Sequence, residues 1–327
     1  MPTTLHRWIT DAYFELDLLR EDRRIGALRR RHVRAMTEAL ARQAPGTISA
    51  VEELSTSDPE AIRAYVDRRV PVVVRGAAND WPAARLWTFD YFKATIPDDP
   101  LVIGRERFSR ERAGTSYNIE LLPYTMREFV DELATGASVY LKFLPVLQTH
   151  PELLEHLDRA AMSRWIGPRA DRCALDNEFY MGGAGTVTNL HAERSEIFHA
   201  CFRGKKRWRL YPPSETPLLY PIPARTLFVA SEVDFVNPDF TVHPWFRHAS
   251  GLEAVLEPGD VLYVPSYYWH GVENLAPTIS ANQLFYDPRR AARMLPQHWL
   301  NGVLLTGGGR GTIASFIEMF NNRILPG

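Results

Sequence analysis

From about residue 172 onward the chain is written in short apolar–polar alternations. The segments are NEFYMGG, GTVTNLHAE, IFHACFRG, KRWRLYPP, AVLEPGD, VLYVPSYYW and TISANQLFYD, with Gly, Pro and Asp between them. Alternation with a period of two puts one face of each segment inward and the other outward. The frequent turn residues keep each strand short. Such a run closes as a sandwich or a barrel, so the expected class is mainly β. Helical patterns stand at both ends of this stretch. The N-terminal residues to about 43 carry a partial apolar stripe (Leu5, Trp8, Leu16, Leu19), and RRAARMLPQHWLNGVLL and TIASFIEMFNNRIL follow beyond Pro288. Three segments are expected: a helical stretch over 1–45, a β unit over 46–290 and C-terminal helices over 291–327.

Between the first helical stretch and the β region, local signals are specific. TSDPEAIRAYVDRRV predicts a helix capped by Ser57 or Asp58, with Pro59 in its first turn. TMREFVDELATG predicts an amphipathic helix with Thr125 and Glu128 as a capping box and Gly136 past its end. VPVVVRG (70–76) reads as a buried strand, and VYLKFL (139–144) as another.

Composition narrows the function classes. A net charge of −1 gives no whole-protein basic field for nucleic acid. The basic run RRRHVR (29–34) reads as the solvated face of a helix, and tRNA is left open as a partner. No apolar run reaches the roughly 18 residues of a membrane span. The N-terminus lacks the apolar core and cleavage site of a signal peptide. Cys173 and Cys201 are too few for a disulfide framework and lack zinc spacing. A cytoplasmic protein is the expectation. Lysine supplies only four of the 38 Lys and Arg residues, at positions 93, 142, 205 and 206. That bias suggests a GC-rich, bacterial genome, and it makes each retained lysine informative, since arginine serves wherever charge alone is needed.

His191 and Glu193 are two residues apart on a strand and share a face. A lone His-x-Glu is common by chance, and a packed pair of polar residues explains it equally well. His270, at the start of a later strand in EPGDVLYVPSYYWHGVENL, changes the balance, because a jelly roll returns a distant strand to a neighbouring position. Two histidines and one carboxylate make the facial triad of non-haem Fe(II) oxygenases, with three coordination positions left open.

With these residues in place the chain resembles the JmjC and cupin-like group of Fe(II)- and 2-oxoglutarate-dependent oxygenases, in particular the small hydroxylase branch of the factor-inhibiting-HIF type. VPVVVRGAANDWPAARLW, GTVTNLHAE, GKKRWRLYPP and PGDVLYVPSYYWHGVENL carry the resemblance in order, over roughly residues 60–288. It implies a double-stranded β-helix core flanked by helices. It also implies iron held by His191, Glu193 and His270, with 2-oxoglutarate and O2 taking the open positions. Lys206, fifteen positions after His191, would meet the distal carboxylate of 2-oxoglutarate, assisted by hydroxyls of Tyr140 and Thr188. Asn282 would lie near the co-substrate's metal-bound end, and Lys142 would look into the substrate mouth. Two positions depart from the hydroxylase pattern: Glu193 stands where many relatives have Asp, and Ile197 where they often have Asn. His199, two residues on, reads as packed or supporting, and Glu196 and Lys205 as packing and surface.

The implied activity is hydroxylation of an unactivated C–H, with 2-oxoglutarate decarboxylated to succinate. A cupin-type metal enzyme without 2-oxoglutarate, and an N-demethylase, are the alternatives. The substrate is expected to be a peptide, a protein side chain or a small molecule, including natural products. It would enter a mouth lined by residues 77–120, the aromatic 214–250 insert and the chain ends. Homodimerisation through the C-terminal helices is expected.

Overall fold

The structure is a computed structural model, and it describes residues 34–98, 100–106, 119–221, 228–287 and 289. The predicted C-terminal helices with their dimer contact, residues 1–33 and the segment 107–118 lie outside the described residues. A helix over 34–40 is the described part of the N-terminal helical stretch.

Fifteen strands are described in chain order. They are β1 (Ile48–Ala50), β2 (Glu52–Leu54), β3 (Val72–Val74), β4 (Pro100–Glu106), β5 (Ile119–Thr125), β6 (Tyr140–Leu144), β7 (Ala174–Gly182) and β8 (Val187–Glu193). Then come β9 (Glu196–Arg203), β10 (Lys206–Tyr211), β11 (Phe228–Ala230), β12 (Gly251–Leu256), β13 (Val261–Val264), β14 (Trp269–Asn274) and β15 (Thr278–Tyr286). One sheet runs β1-β12-β10-β14-β8-β11, a second runs β2-β3-β13-β9-β15-β7-β6, and β4 and β5 form a hairpin. From β7 to β10 successive strands cross between the two large sheets, and from β12 to β15 they do so again. This is a jelly roll, the double-stranded β-helix of the sequence reading, with its two sheets face to face.

The local signals form as their chemistry dictates. Asp58 caps the helix Pro59–Arg68, its carboxylate accepting from the Glu60 and Ala61 amides at 3.4 and 3.1 Å. Thr125 and Glu128 form the capping box of Met126–Ala134. Gly204, with φ of 72°, makes the turn from β9 to β10, and a Cβ there would stand 2.1 Å from the Pro277 carbonyl oxygen. Only glycine fits both demands, and the turn sets the register that brings Lys206 inward. Asp260 closes the PGD turn by accepting from the Gly76 and Glu257 amides at 3.0 and 2.9 Å, which ties β3 to β13.

Three apolar clusters hold the molecule together. The interior between the sheets contains Ile197, Leu210, Val264 and Leu284. The outer face of the seven-stranded sheet is covered by the helices, centred on Trp87. That fully buried indole packs edge-on against Phe92, Phe179 and Phe202 at 5.5, 5.5 and 4.9 Å, and donates to His156 Nδ1 at 3.0 Å. The outer face of the six-stranded sheet is covered by the 214–250 insert, whose Phe235, Trp245 and Phe246 pack with Leu190, Ala192 and Trp269.

Two expectations about the mouth are thereby corrected. Residues 77–98 lie behind the seven-stranded sheet, because Trp81, Trp87 and Phe92 are recruited to its outer core. The insert's buried aromatics face the outer side of β8, opposite to His191 and Glu193; its edge strand β11 extends the sheet beside them.

Trp87→Ala should cost about 3–5 kcal/mol in urea unfolding, whereas Val242→Ala, at a residue 54 % exposed, should stay within about 0.5 kcal/mol of the parent. Equal effects would contradict this account of the outer core.

Candidate metal centre and adjoining pocket

His191 and His270 are direct cross-strand partners on β8 and β14, with ring centroids 4.1 Å apart. Glu193 follows on the same face of β8, and His270 Nε2 lies 3.9 Å from its Oε1. One ligand atom from each of the three lies within 4.8 Å of the others. Both rings are held in one tautomer. His191 Nδ1–H donates to the Asn189 carbonyl at 2.7 Å, and His270 Nδ1–H to the Tyr268 carbonyl at 3.0 Å. This leaves His270 Nε2, which faces Glu193, as a lone pair, the form in which imidazole binds a metal; in both rings a backbone carbonyl is the orienting outer partner.

Burial sets the charge states. It holds His270 down at about 4 and His191 well below the ordinary imidazole value, helped for His191 by the neighbouring His270 and Lys142. Glu193 is pushed well above the usual carboxylate range, first by burial and then by the charges of Glu178 and Asp176. Two neutral imidazoles and a carboxylate that is costly to ionise alone suit a divalent cation, whose charge would keep Glu193 ionised.

The pocket beside the triad is lined by Tyr140, Tyr180, Thr188, His199, Lys206, Trp208, Val272 and Asn282. Thr188 stands three residues before His191, a spacing that would put the two on opposite faces of a regular strand. A bulge restores the common face: His191 pairs with His270, while Thr188 pairs with Val272, so β8 carries one extra residue. The Thr188 hydroxyl donates to the Tyr140 hydroxyl at 3.3 Å. Tyr140 comes in close because Gly182 opposite has no side chain; a Cβ there would be 2.6 Å from its ring.

Lys206 is 1 % exposed. Its Nζ lies 5.1 Å from the Tyr180 ring centroid and 5.8 Å from that of Tyr140. No carboxylate among the described residues pairs with it, and burial lowers its pKa to about 7. Lys205, its chain neighbour, points outward and pairs with Glu257 at 2.6 Å. Lys142 is buried, with Nζ 3.5 Å from the Val187 carbonyl and 5.4 Å from the Tyr140 ring centroid; it is not among the residues lining the pocket. Glu196 is a packing residue, 2.6 Å from Arg169 and 2.8 Å from the Tyr263 hydroxyl. Ile197 joins the apolar interior.

On the opposite side of the pocket the sequence pointed to Asn282 and gave His199 a supporting place, but Glu178, Tyr180 and Trp208 were missed. His199, Asn282 and Glu178 are successive cross-strand neighbours on β9, β15 and β7. The Asn282 amide donates to Glu178 Oε2 at 2.9 Å and to the Tyr180 hydroxyl at 3.2 Å, and its carbonyl oxygen meets His199 Nδ1 at 2.5 Å. Tyr180 donates to Glu178 at 2.5 Å. The i, i+2 spacing of Glu178 and Tyr180 on one strand was the available signal. Trp208 stacks on His270, with centroids 5.6 Å apart and planes 29° apart.

A larger cleft of about 500 Å³ lies between the helices Pro59–Arg68 and Arg159–Ile166, lined by Asp80, Trp81, Asp158 and Trp165. It has no part in the triad. No described helix is long and apolar enough to cross a membrane.

Comparison with known proteins agrees with this geometry. The family model of the cupin-like domain matches residues 58–291. The chain is 31% identical over 226 residues to a Danio rerio protein named lysine-specific demethylase 8, covering 67% of this chain and 53% of the relative. It is 26% identical over 264 residues to arginine-specific demethylase JMJ20 of Arabidopsis thaliana, covering 72% and 56%. It is 39% identical over 117 residues to human HSPB1-associated protein 1, covering 34% and 24%. The chain thus spans about half the length of the demethylase relatives it matches.

An unpaired buried ammonium opposes folding, which gives a sign that can be tested. The folded-state pKa of Lys206 lies below its ordinary value of 10.5, so the unfolded chain holds the proton more tightly. Stability is therefore lost as pH falls from about 10 to about 7, and the loss persists below that. Lys206→Met should raise the stability of the protein without co-substrate at pH 7 by roughly 1–4 kcal/mol in chemical denaturation. A destabilised variant would mean that the lysine has a partner within the protein.

Proposed function

The chain belongs to the cupin-like domain family, and from that membership and the pocket together we propose that it is an Fe(II)- and 2-oxoglutarate-dependent oxygenase. The observation that carries this reading is a buried lysine with no carboxylate partner among the described residues, in one pocket with a His-Glu-His triad. A cation at one end and an anion-seeking ammonium at the other fit a small dicarboxylate that also chelates metal. A cupin-type metal enzyme with no such co-substrate would have no use for Lys206.

In this reading His191, Glu193 and His270 hold iron through two imidazole nitrogens and one carboxylate. Bound iron supplies, with 2-oxoglutarate and O2, the oxidising power for C–H hydroxylation, 2-oxoglutarate leaving as succinate and CO2. Lys206 receives the distal carboxylate, and the Thr188 and Tyr140 hydroxyls share it. The compact ammonium lies between the Tyr180 and Tyr140 rings, 5.1 and 5.8 Å from their centroids, where it can act as a point charge for that carboxylate. Asn282 orients the inner side of the pocket. The apolar interior around Ile197 and Val264 keeps bulk water away from the site. The catalytic unit is proposed to span residues 46–290.

The substrate is proposed to be a peptide, a protein side chain or a small molecule that presents a C–H above the triad. The names of the lysine- and arginine-specific demethylase relatives favour one second reading: hydroxylation of an N-methyl C–H gives a hemiaminal that breaks down to the free amine and formaldehyde, so the chain would act as an N-demethylase.

The test is succinate formation by Fe(II)-loaded protein supplied with 2-oxoglutarate and O2, with mass spectrometry of a cell lysate for products gaining one oxygen atom or losing a methyl group. The parent should release succinate and His191→Ala at least about 100-fold less. Succinate release unchanged by His191→Ala would overturn the iron assignment. Metal-dependent product with no consumption of 2-oxoglutarate would favour the other cupin chemistry.

A further inference from the structure

One side chain in the pocket has no role in the reading above and is left with an unmet bond. His199 is 1 % exposed, lines the pocket, and has a buried Nε2 with no partner among the described residues. Its other nitrogen is committed. Asn282 spends its amide hydrogens on Glu178 and Tyr180, so its carbonyl oxygen must accept from His199 Nδ1–H. The tautomer is therefore fixed from outside the pocket by a row of three cross-strand neighbours. Unsatisfied buried nitrogens of this kind are rare and mark a bond that something else completes.

The surroundings point to an anion. Lys206 is close enough to His199 to disfavour its charged form, and Trp208 packs on the ring at 4.7 Å with its own indole Nε1–H buried and without a partner among the described residues. The groups facing His199 are Lys206 and Trp208 from β10, Tyr180 and (through Asn282) Glu178 from β7, and His270 more distantly from β14. Ile197, one pair earlier on the same face of β9, is apolar and buried, so His199 is the polar side chain that β9 brings to the pocket.

We propose that His199 is a binding residue for the pocket's dicarboxylate co-substrate, its Nε2 donating a hydrogen bond to a ligand carboxylate beside Lys206. This rests on the 2-oxoglutarate reading and extends it to a second cationic contact. Because Nδ1–H is held by Asn282, Nε2 can donate only when the ring carries both protons. The ring is neutral in the free protein, through burial first and Lys206 second. It takes up one proton from solvent as the dianion binds. This contact therefore strengthens as pH falls and is lost as pH rises past the ring's pKa in the complex.

Anaerobic calorimetry of the Fe(II)-loaded full chain with 2-oxoglutarate tests this, on the parent and on His199→Phe, His199→Asn and His199→Gln, with melting curves to confirm folding. Glutamine carries an amide nitrogen near the Nε2 position and asparagine near Nδ1. His199→Phe and His199→Asn should bind about 10–100-fold more weakly, and His199→Gln within a few-fold of the parent. Repeating the titration in buffers of different ionisation enthalpy should show more proton uptake by the parent than by His199→Gln. Unchanged affinity in a folded His199→Phe, or His199→Gln as weak as His199→Phe, would overturn the proposal. If the metal-loaded parent binds no 2-oxoglutarate at all, the 2-oxoglutarate reading itself falls and takes this contact with it, a result distinct from any difference among the variants.

Discussion

A lysine ammonium is expensive to bury, at several kcal/mol even after the protein relaxes around it, and the cost is offset only where a negative group meets it. Lys206 has ring faces around it and no carboxylate among the described residues. Much of the pocket depends on this imbalance. The glycine turn at Gly204 fixes the register that turns Lys206 inward and Lys205 outward. Tyr140 reaches the same space across Gly182, and the bulge in β8 swings Thr188 round to join it. These features assemble polar groups around a charge that no described carboxylate neutralises. A destabilising charge of this kind is what stability–function trade-offs lead one to expect where a ligand completes the pairing.

The triad at the other end of the pocket has the opposite imbalance. Glu193 stands near Glu178 and Asp176, with two neutral imidazoles for company, and its ionised form is disfavoured. Among the described residues, one end of the pocket lacks an anion and the other a cation. A ligand that is anionic at one end and metal-chelating at the other satisfies both, so the site is read here as a metal and co-substrate site together. The row His199–Asn282–Glu178 then forms the wall between them, each member holding the next in orientation.

Much of this was legible in the sequence because strands report their faces. Alternation identified the jelly-roll strands, and the i, i+2 spacing of His191 and Glu193 gave them a common direction. The Asp58 cap and the Thr125–Glu128 box announced two helices through chemistry that is local by nature. What alternation cannot give is which sheet a strand joins. His199 lies on β9, in the sheet opposite the triad, so its place across the pocket follows from long-range pairing alone. Glu178 and Tyr180 were hidden for the same reason, since β7 pairs with β15 far along the chain. The aromatic segments around Trp87 and Trp245 were misplaced at the mouth because large apolar side chains look alike in sequence whether they line a cleft or cover the outside of a sheet.

The central claim is that Lys206 exists to meet a carboxylate that the protein does not supply. A crystal structure of the metal-loaded chain with N-oxalylglycine, a non-reactive analogue of 2-oxoglutarate, tests it most directly. The account predicts metal bound by His191, Glu193 and His270, and the analogue's distal carboxylate about 3 Å from Lys206 Nζ. An analogue that chelates the metal while its distal carboxylate lies elsewhere, or a Lys206 found paired with a carboxylate of the chain itself, would contradict it.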